Sequence, residues 1–178
     1  MLRYIPEIGR YLNDYEYKRY LLSSKSTAGL YLYHATNSDY IDSIIQSGLS
    51  ATPTSHNWDS DNMLMNEGVY LALDAKSSIR YGKKSSIPNS KIVLFRIPYT
   101  SLNDNYFEYD WNNRCEYRKD INSCLYTKDI PAGYLELVSD YRSEPRQNIN
   151  SFEGTKLYDI LLDTFEYEVE TNLENGED

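Results

Sequence analysis

The run Leu30-Tyr31-Leu32-Tyr33-His34-Ala35-Thr36 begins mostly apolar and ends on a histidine followed by two small residues. Its length and aromatic content predict a buried strand that ends at His34-Ala35-Thr36. The polar, small-residue stretch Ser23 to Gly29 ahead of it reads as a loop. Behind it, Ser38 is placed to cap a helix whose first turn carries Asp39 and Asp42, complementing the positive dipole end. Tyr40, Ile41, Ile44 and Ile45 would form the apolar face of that helix, and Gly48 its stop. Small residues after His34 would let a ligand come close to the backbone.

Working outward, Ala51 to Glu67 is a long polar loop, of a length that is usually functional or disordered. Gly68-Val69-Tyr70-Leu71-Ala72-Leu73 reads as the next strand. Asp74 then caps a short helix containing Ala75, Ser78, Ile79 and Tyr81, with Gly82 as its end. Lys83 to Ser90 is a basic, serine-rich loop, and Lys91 to Ile97 is the strongest strand pattern in the chain, stopped by Pro98. Asn103 to Arg118 has no clean period. Cys124 to Thr127 predicts a strand, Ile130 to Val138 a turn into a further strand, and Asp140 to Asn150 a linker. At the ends, Tyr4 to Leu22 has helical spacing, Leu157 to Phe165 predicts a second terminal helix, and residues 166–178 form an acidic tail. Strands with short interspersed helices give an α+β class. The expected organisation is a single domain over residues 1–165, with an N-terminal helix (4–22), a core (30–138) and a C-terminal helix (about 157–165).

Composition bounds the function. The 178 residues carry a net charge of −9 and include 19 tyrosines against four phenylalanines. That length suits one domain burying roughly 70% of its unfolded surface. No apolar run reaches the roughly eighteen residues of a membrane span, and the N-terminus has no apolar signal segment. A cytoplasmic protein with two reduced thiols, Cys115 and Cys124, is the expectation, with no membrane partner and no metal. The acidic balance lacks the global footprint of a duplex binder. G-x-G-x-x-G, Walker A, H-E-x-x-H and G-x-S-x-G are all missing, and two histidines without a motif fit a Ser-His-Asp or Cys-His hydrolase poorly. What remains is an ordered set: a histidine, two aromatic plates (Tyr70 and Tyr81) and a hydroxyl (Ser78). Such a set suits a flat heteroaromatic amide, although on the residues alone His34 and Tyr70 are more often core residues.

Four segments in order resemble the ADP-ribosyltransferases, in the diphtheria-toxin/poly(ADP-ribose) polymerase branch with its His-Tyr-Glu signature. They are Leu32-Tyr33-His34-Ala35-Thr36, Ile41-x-x-Ile44-Ile45-x-x-Gly48-Leu49, Gly68-Val69-Tyr70-Leu71-Ala72 and Ala75-x-x-Ser78-x-x-Tyr81. The resemblance covers Leu30 to Val138 and implies a split, mostly antiparallel sheet with NAD as co-substrate in the cleft. It further implies that His34 bonds the adenosine ribose and that the Ala35 backbone and the Ser78 hydroxyl grip the nicotinamide carboxamide. Tyr70 and Tyr81 would sandwich the ring, with Thr36 lining the same end of the strand. The bond between nicotinamide and ribose would break through an oxocarbenium-like centre that an acceptor attacks.

Two departures from the signature matter. Ala35 stands where the family commonly has glycine. The family glutamate falls on Asn122 or Ser123, neither acidic, with Glu116, Asp120 and Glu108 as nearby substitutes. The resemblance therefore implies mono-ADP-ribosylation of a macromolecule, protein or single-stranded nucleic acid, by a bacterial or phage toxin or effector that an antitoxin or immunity protein would shield. Arg80, Lys83 and Lys84 beside Tyr81 would suit a single strand. The alternatives are an inactive domain that binds NAD, ADP-ribose or a partner and, ranked lower, an NAD-dependent RNA 2′-phosphotransferase, whose second histidine is replaced here by Tyr70.

Overall fold

The computed structural model describes residues 1–6, 9–18, 29–52, 67–84, 87–110 and 122–162. Six strands form one sheet in which every pairing is antiparallel, in the order β6-β7-β4-β3-β5-β8. The strands are β3 (Tyr31–Asn37), β4 (Val69–Ala72), β5 (Ile92–Pro98), β6 (Phe107–Tyr109), β7 (Ser123–Tyr126) and β8 (Glu136–Val138). A separate two-stranded hairpin pairs β1 (Arg3–Ile5) with β2 (Arg10–Leu12). Beyond a short helical stretch at 14–18, the helices are α1 (Ile41–Ser47), α2 (Ala75–Lys83) and a C-terminal α3, helical over 156–162. The α+β, antiparallel expectation holds at this level.

Alternation along the strands divides the sheet into two faces, because cross-strand partners share a side. Leu32, Phe95, Ile97, Val69, Leu71, Cys124, Tyr126, Phe107 and Tyr109 belong to the larger core. Ile44 of α1, Tyr99, Phe152 and the α3 residues Leu157 and Leu161 cover them. On the other face Tyr33 and Leu94, with the half-buried Ala35, pack under Ala75 and Ile79 of α2. The sheet is thus covered on both sides. Tyrosine serves the core as expected of an amphipathic aromatic: the Tyr99 hydroxyl donates to Asp104, and the Tyr126 hydroxyl accepts the Asn103 N–H at 3.2 Å.

Several local expectations are corrected. Tyr4 to Leu22 does not open as a helix: the chain forms the β1–β2 hairpin, and helix begins only at 14–18. The aromatic spacing arises instead from cross-strand pairing, Tyr4 facing Tyr11 with ring centroids 5.1 Å apart. Ser38 is not a helix cap. Its Oγ accepts the Lys91 N–H at 3.1 Å and meets Ser90 Oγ, tying the end of β3 to the start of β5. Ile45 is exposed, leaving Ile44 as the buried residue of α1. Gly48 does stop α1, with φ +76°, and a Cβ there would lie 2.2 Å from the Ile130 carbonyl oxygen. Gly82 lies inside α2 and does not end it. The supposed linker 140–150 is packed against the sheet through Glu144 and Gln147. Residues 53–66 of the predicted long loop, 163–165 of the terminal helix and the acidic tail lie outside the described residues.

Candidate functional site

The seam between β3 and β4 organises the site. β3 is in register with β5 over seven consecutive pairs, from Tyr31↔Pro98 to Asn37↔Ile92, but with β4 at one pair alone, Tyr33↔Ala72. Past that pair the main chains no longer form a ladder, and the His34 side chain spans the gap. Its Nδ1 lies 2.9 Å from the Tyr70 carbonyl oxygen. A carbonyl can only accept, so Nδ1 carries the proton and donates. Desolvation by burial lowers the His34 pKa below its ordinary value, against the opposing effect of the Tyr70 bond. At neutral pH the ring is therefore uncharged, with Nε2 as an acceptor.

Helix α2 is laid over β3 from the other side. Asp74 starts it as predicted: its Oδ1 accepts the Ser77 N–H at 2.8 Å. Gly82 then allows close contact, since a Cβ there would stand 2.9 Å from Ala35 Cβ and 3.3 Å from Ile92 Cγ2. Ala35 in place of glycine is thus accommodated by a glycine on the helix above it. Ser78 lies one turn before Gly82 on the same helix face and is 3% exposed, while Tyr81 is half-buried. Arg80 and Lys84 lie 5.4 and 5.5 Å from the Tyr81 ring centroid. Residues 75–91 carry Lys76, Arg80, Lys83, Lys84 and Lys91 and no acidic residue, against the acidic balance of the chain as a whole.

The structure therefore brings His34 and Tyr70 into direct contact and sets Ala35 under the helix that carries Ser78 and Tyr81. Thr36 is buried further along β3, and Asn37 Oδ1 accepts the Ile87 N–H at 3.1 Å, anchoring the segment after α2. Asn122 stands at the entrance to β7, its carbonyl accepting the Leu73 N–H at 2.7 Å. Ser123 pairs with Ala72 and is buried, so neither residue of this pair supplies a carboxylate. Glu108 is exposed on β6 and shares a row with Leu125 and Tyr70, two strand spacings (roughly 9.6 Å) from Tyr70. Glu116 and Asp120 lie outside the described residues, as does Cys115. Cys124 is enclosed in the core, where burial pushes its thiol pKa up and makes it a poor nucleophile.

Two groups escaped the sequence reading. Gln147 is buried and bonds Tyr31 of β3 and Leu73, the residue that follows β4. Glu144 accepts from Arg96 Nη1 at 3.1 Å and from the Tyr33 hydroxyl at 3.2 Å. Both sit in a polar stretch without periodicity, and no local signal marks them. Among the described residues no group of three His, Cys, Asp or Glu is placed to hold a metal ion, and no helix is long and apolar enough to cross a membrane. Compared with known protein families and with curated proteins, the chain matches none.

Proposed function

We propose that the protein is a mono-ADP-ribosyltransferase that moves ADP-ribose from NAD to a macromolecular acceptor, with the opening of the β3–β4 seam as its nucleotide cleft. The observation that carries this reading is the His34–Tyr70 contact at 2.9 Å, made where the ladder between their strands ends. It joins the two residues that the resemblance assigns to one site, and it leaves a neutral imidazole able to accept a ribose hydroxyl. The Ala35 backbone and the Ser78 hydroxyl would hold the carboxamide, with Tyr70 and Tyr81 against the ring. The reaction breaks the C1′–N bond to nicotinamide, forms a bond from C1′ to the acceptor nucleophile and releases that nucleophile's proton. This chain's own contribution is orientation and preorganised dipoles. A toxin or effector role, with an antitoxin or immunity protein as partner, belongs to the same proposal.

A second reading, an inactive domain that binds NAD, ADP-ribose or a partner, is favoured by one observation: Asn122 and Ser123 offer no carboxylate at the entrance to β7. The presence of His34, Tyr70, Ser78 and Tyr81 at the positions that the resemblance assigns favours the enzyme. Incubation with labelled NAD and a whole-cell lysate separates the two. Expected is release of nicotinamide, with label that survives either nuclease or protease but not both. Nuclease-sensitive label assigns the acceptor as single-stranded nucleic acid, which the basic face of α2 supports; protease-sensitive label assigns a protein. NAD binding without nicotinamide release, with or without lysate, gives the inactive domain.

A further inference from the structure

We propose that Gln147 is a positioning residue for this cleft: its side-chain amide replaces the missing ladder at the closed end of the seam and sets β3 against the start of α2. The inference rests on reading the seam as the nucleotide site. Gln147 Oε1 accepts the Tyr31 N–H at 3.0 Å, and Nε2 donates to the Tyr31 carbonyl at 2.6 Å. That exchange of both bonds is what a neighbouring strand residue makes in an antiparallel pair. Nε2 also donates to the Leu73 carbonyl at 3.0 Å. Leu73 directly precedes Asp74, the cap from which α2 departs. One amide therefore joins the strand carrying His34 and Ala35 to the origin of the helix carrying Ser78 and Tyr81.

The amide is itself held in place. Arg96 donates from Nε to Glu136 at 2.6 Å and from Nη1 to Glu144 at 3.1 Å, with its guanidinium 4.4 Å from the Tyr31 ring centroid. Glu144, three residues before Gln147, is thus pinned to β5 and to the Tyr33 hydroxyl. The seam has an amide at one end, a single register pair in the middle and an imidazole at the other. Fixing one end fixes how far the other opens. A side chain serving only to fill space at position 147 would need neither the amide nor its orientation, whereas two carbonyls and one N–H are satisfied here by one group.

The test compares Gln147→Met, which keeps the volume and removes the amide, with Ile130→Ala, a core truncation outside the seam that lowers thermal stability by another route. Two quantities are read: NAD affinity, and the His34 imidazole resonance in the NAD-free protein, assigned against the only other histidine, His56. The expected result for Gln147→Met is NAD binding weakened tenfold or more, with the His34 Nδ1 proton shifted and exchanging faster. Ile130→Ala should leave both within twofold at an equal loss of melting temperature. Unchanged His34 signals in Gln147→Met overturn the proposal, because the amide then does not govern the seam. Should Gln147→Met yield no soluble protein, Gln147→Asn, which keeps the amide but shortens its reach by one methylene, is read in the same way. If the wild-type protein binds no NAD, the functional reading fails while the His34 resonance still decides the role of Gln147.

Discussion

β3 has two flanks built on opposite plans. Toward β5 it makes seven successive register pairs, and the ends are tied again through Ser38 and Lys91. Toward β4 it makes one, supplemented by two side chains acting as main chain, His34 and Gln147. A continuous ladder satisfies every backbone group and leaves no room for a ligand. A seam closed by side chains satisfies some of those groups with atoms that can also face a ligand. On the proposed reading the first flank serves stability and the second access, within one strand of seven residues.

The sharpest way to break that comparison is to remove the imidazole. His34→Ala should lower NAD turnover at least a hundredfold, on the scale of lost orienting contacts in catalysis (about 3 kcal/mol). The melting temperature should fall by only a few degrees, since β3 keeps its full ladder to β5. Nicotinamide release and thermal unfolding measured on one preparation check both halves. Loss of soluble protein would mean that His34 holds the sheet together, and the division between the flanks would be wrong.

The well-built flank is tested through Arg96. Arg96→Met removes the Nη1 donor that reaches both carboxylate oxygens of Glu144, a side chain only 6% exposed. Leaving that carboxylate buried beside the Tyr33 hydroxyl alone should cost about 3 kcal/mol by urea unfolding. Adding Glu144→Gln should recover much of it. A loss under about 1 kcal/mol would place this pair with ordinary exposed ion pairs.

Gly82→Ala sharpens the comparison from the helix side. The new Cβ would stand 2.9 Å from Ala35 Cβ, so α2 must shift on β3. Overpacking should cost about 1–2 kcal/mol, partly offset by roughly 1 kcal/mol of improved helix propensity. The double variant Ala35→Gly/Gly82→Ala should restore the spacing. Coupling of about 1 kcal/mol between the two sites is the expected outcome of the cycle, and additive effects would show that the contact is loose.

How much of this was legible depends on the range of the interaction. Asp74 as a cap, Gly48 as a stop and the strands around Tyr70 and Val93 follow from local rules, and the structure agrees with them. The N-terminal hairpin was misread because tyrosines facing across a turn mimic helical spacing. Ser38 was misread because its hydroxyl serves residues fifty-two and fifty-three positions away, and not a helix. Gln147 was invisible because its partners Tyr31 and Leu73 lie 116 and 74 positions away. The His34 to Tyr70 relation emerged only from the order of four segments, since either residue alone reads as core.

The smallest effect concerns the charge on the imidazole that closes the seam. Burial lowers the folded-state pKa of His34 below its ordinary value. In the unfolded chain the ring gains a proton as pH falls through roughly 6.5, while in the fold it resists protonation. The unfolded state then binds more protons, so stability falls as pH drops from about 6.5 toward the folded pKa and is fully present above that window. The slope from this one group cannot exceed about 1.4 kcal/mol per pH unit. Carboxylates contribute their own slope, so the measurement is a difference: urea midpoints of the wild type and of His34→Gln between pH 5 and 7.5. The two curves should run parallel above pH 7 and converge on acidification, as the wild type loses the contribution that His34→Gln never had. Curves parallel throughout would mean that the ring protonates as readily in the fold as in the unfolded chain, and that the imidazole at the seam is open to water.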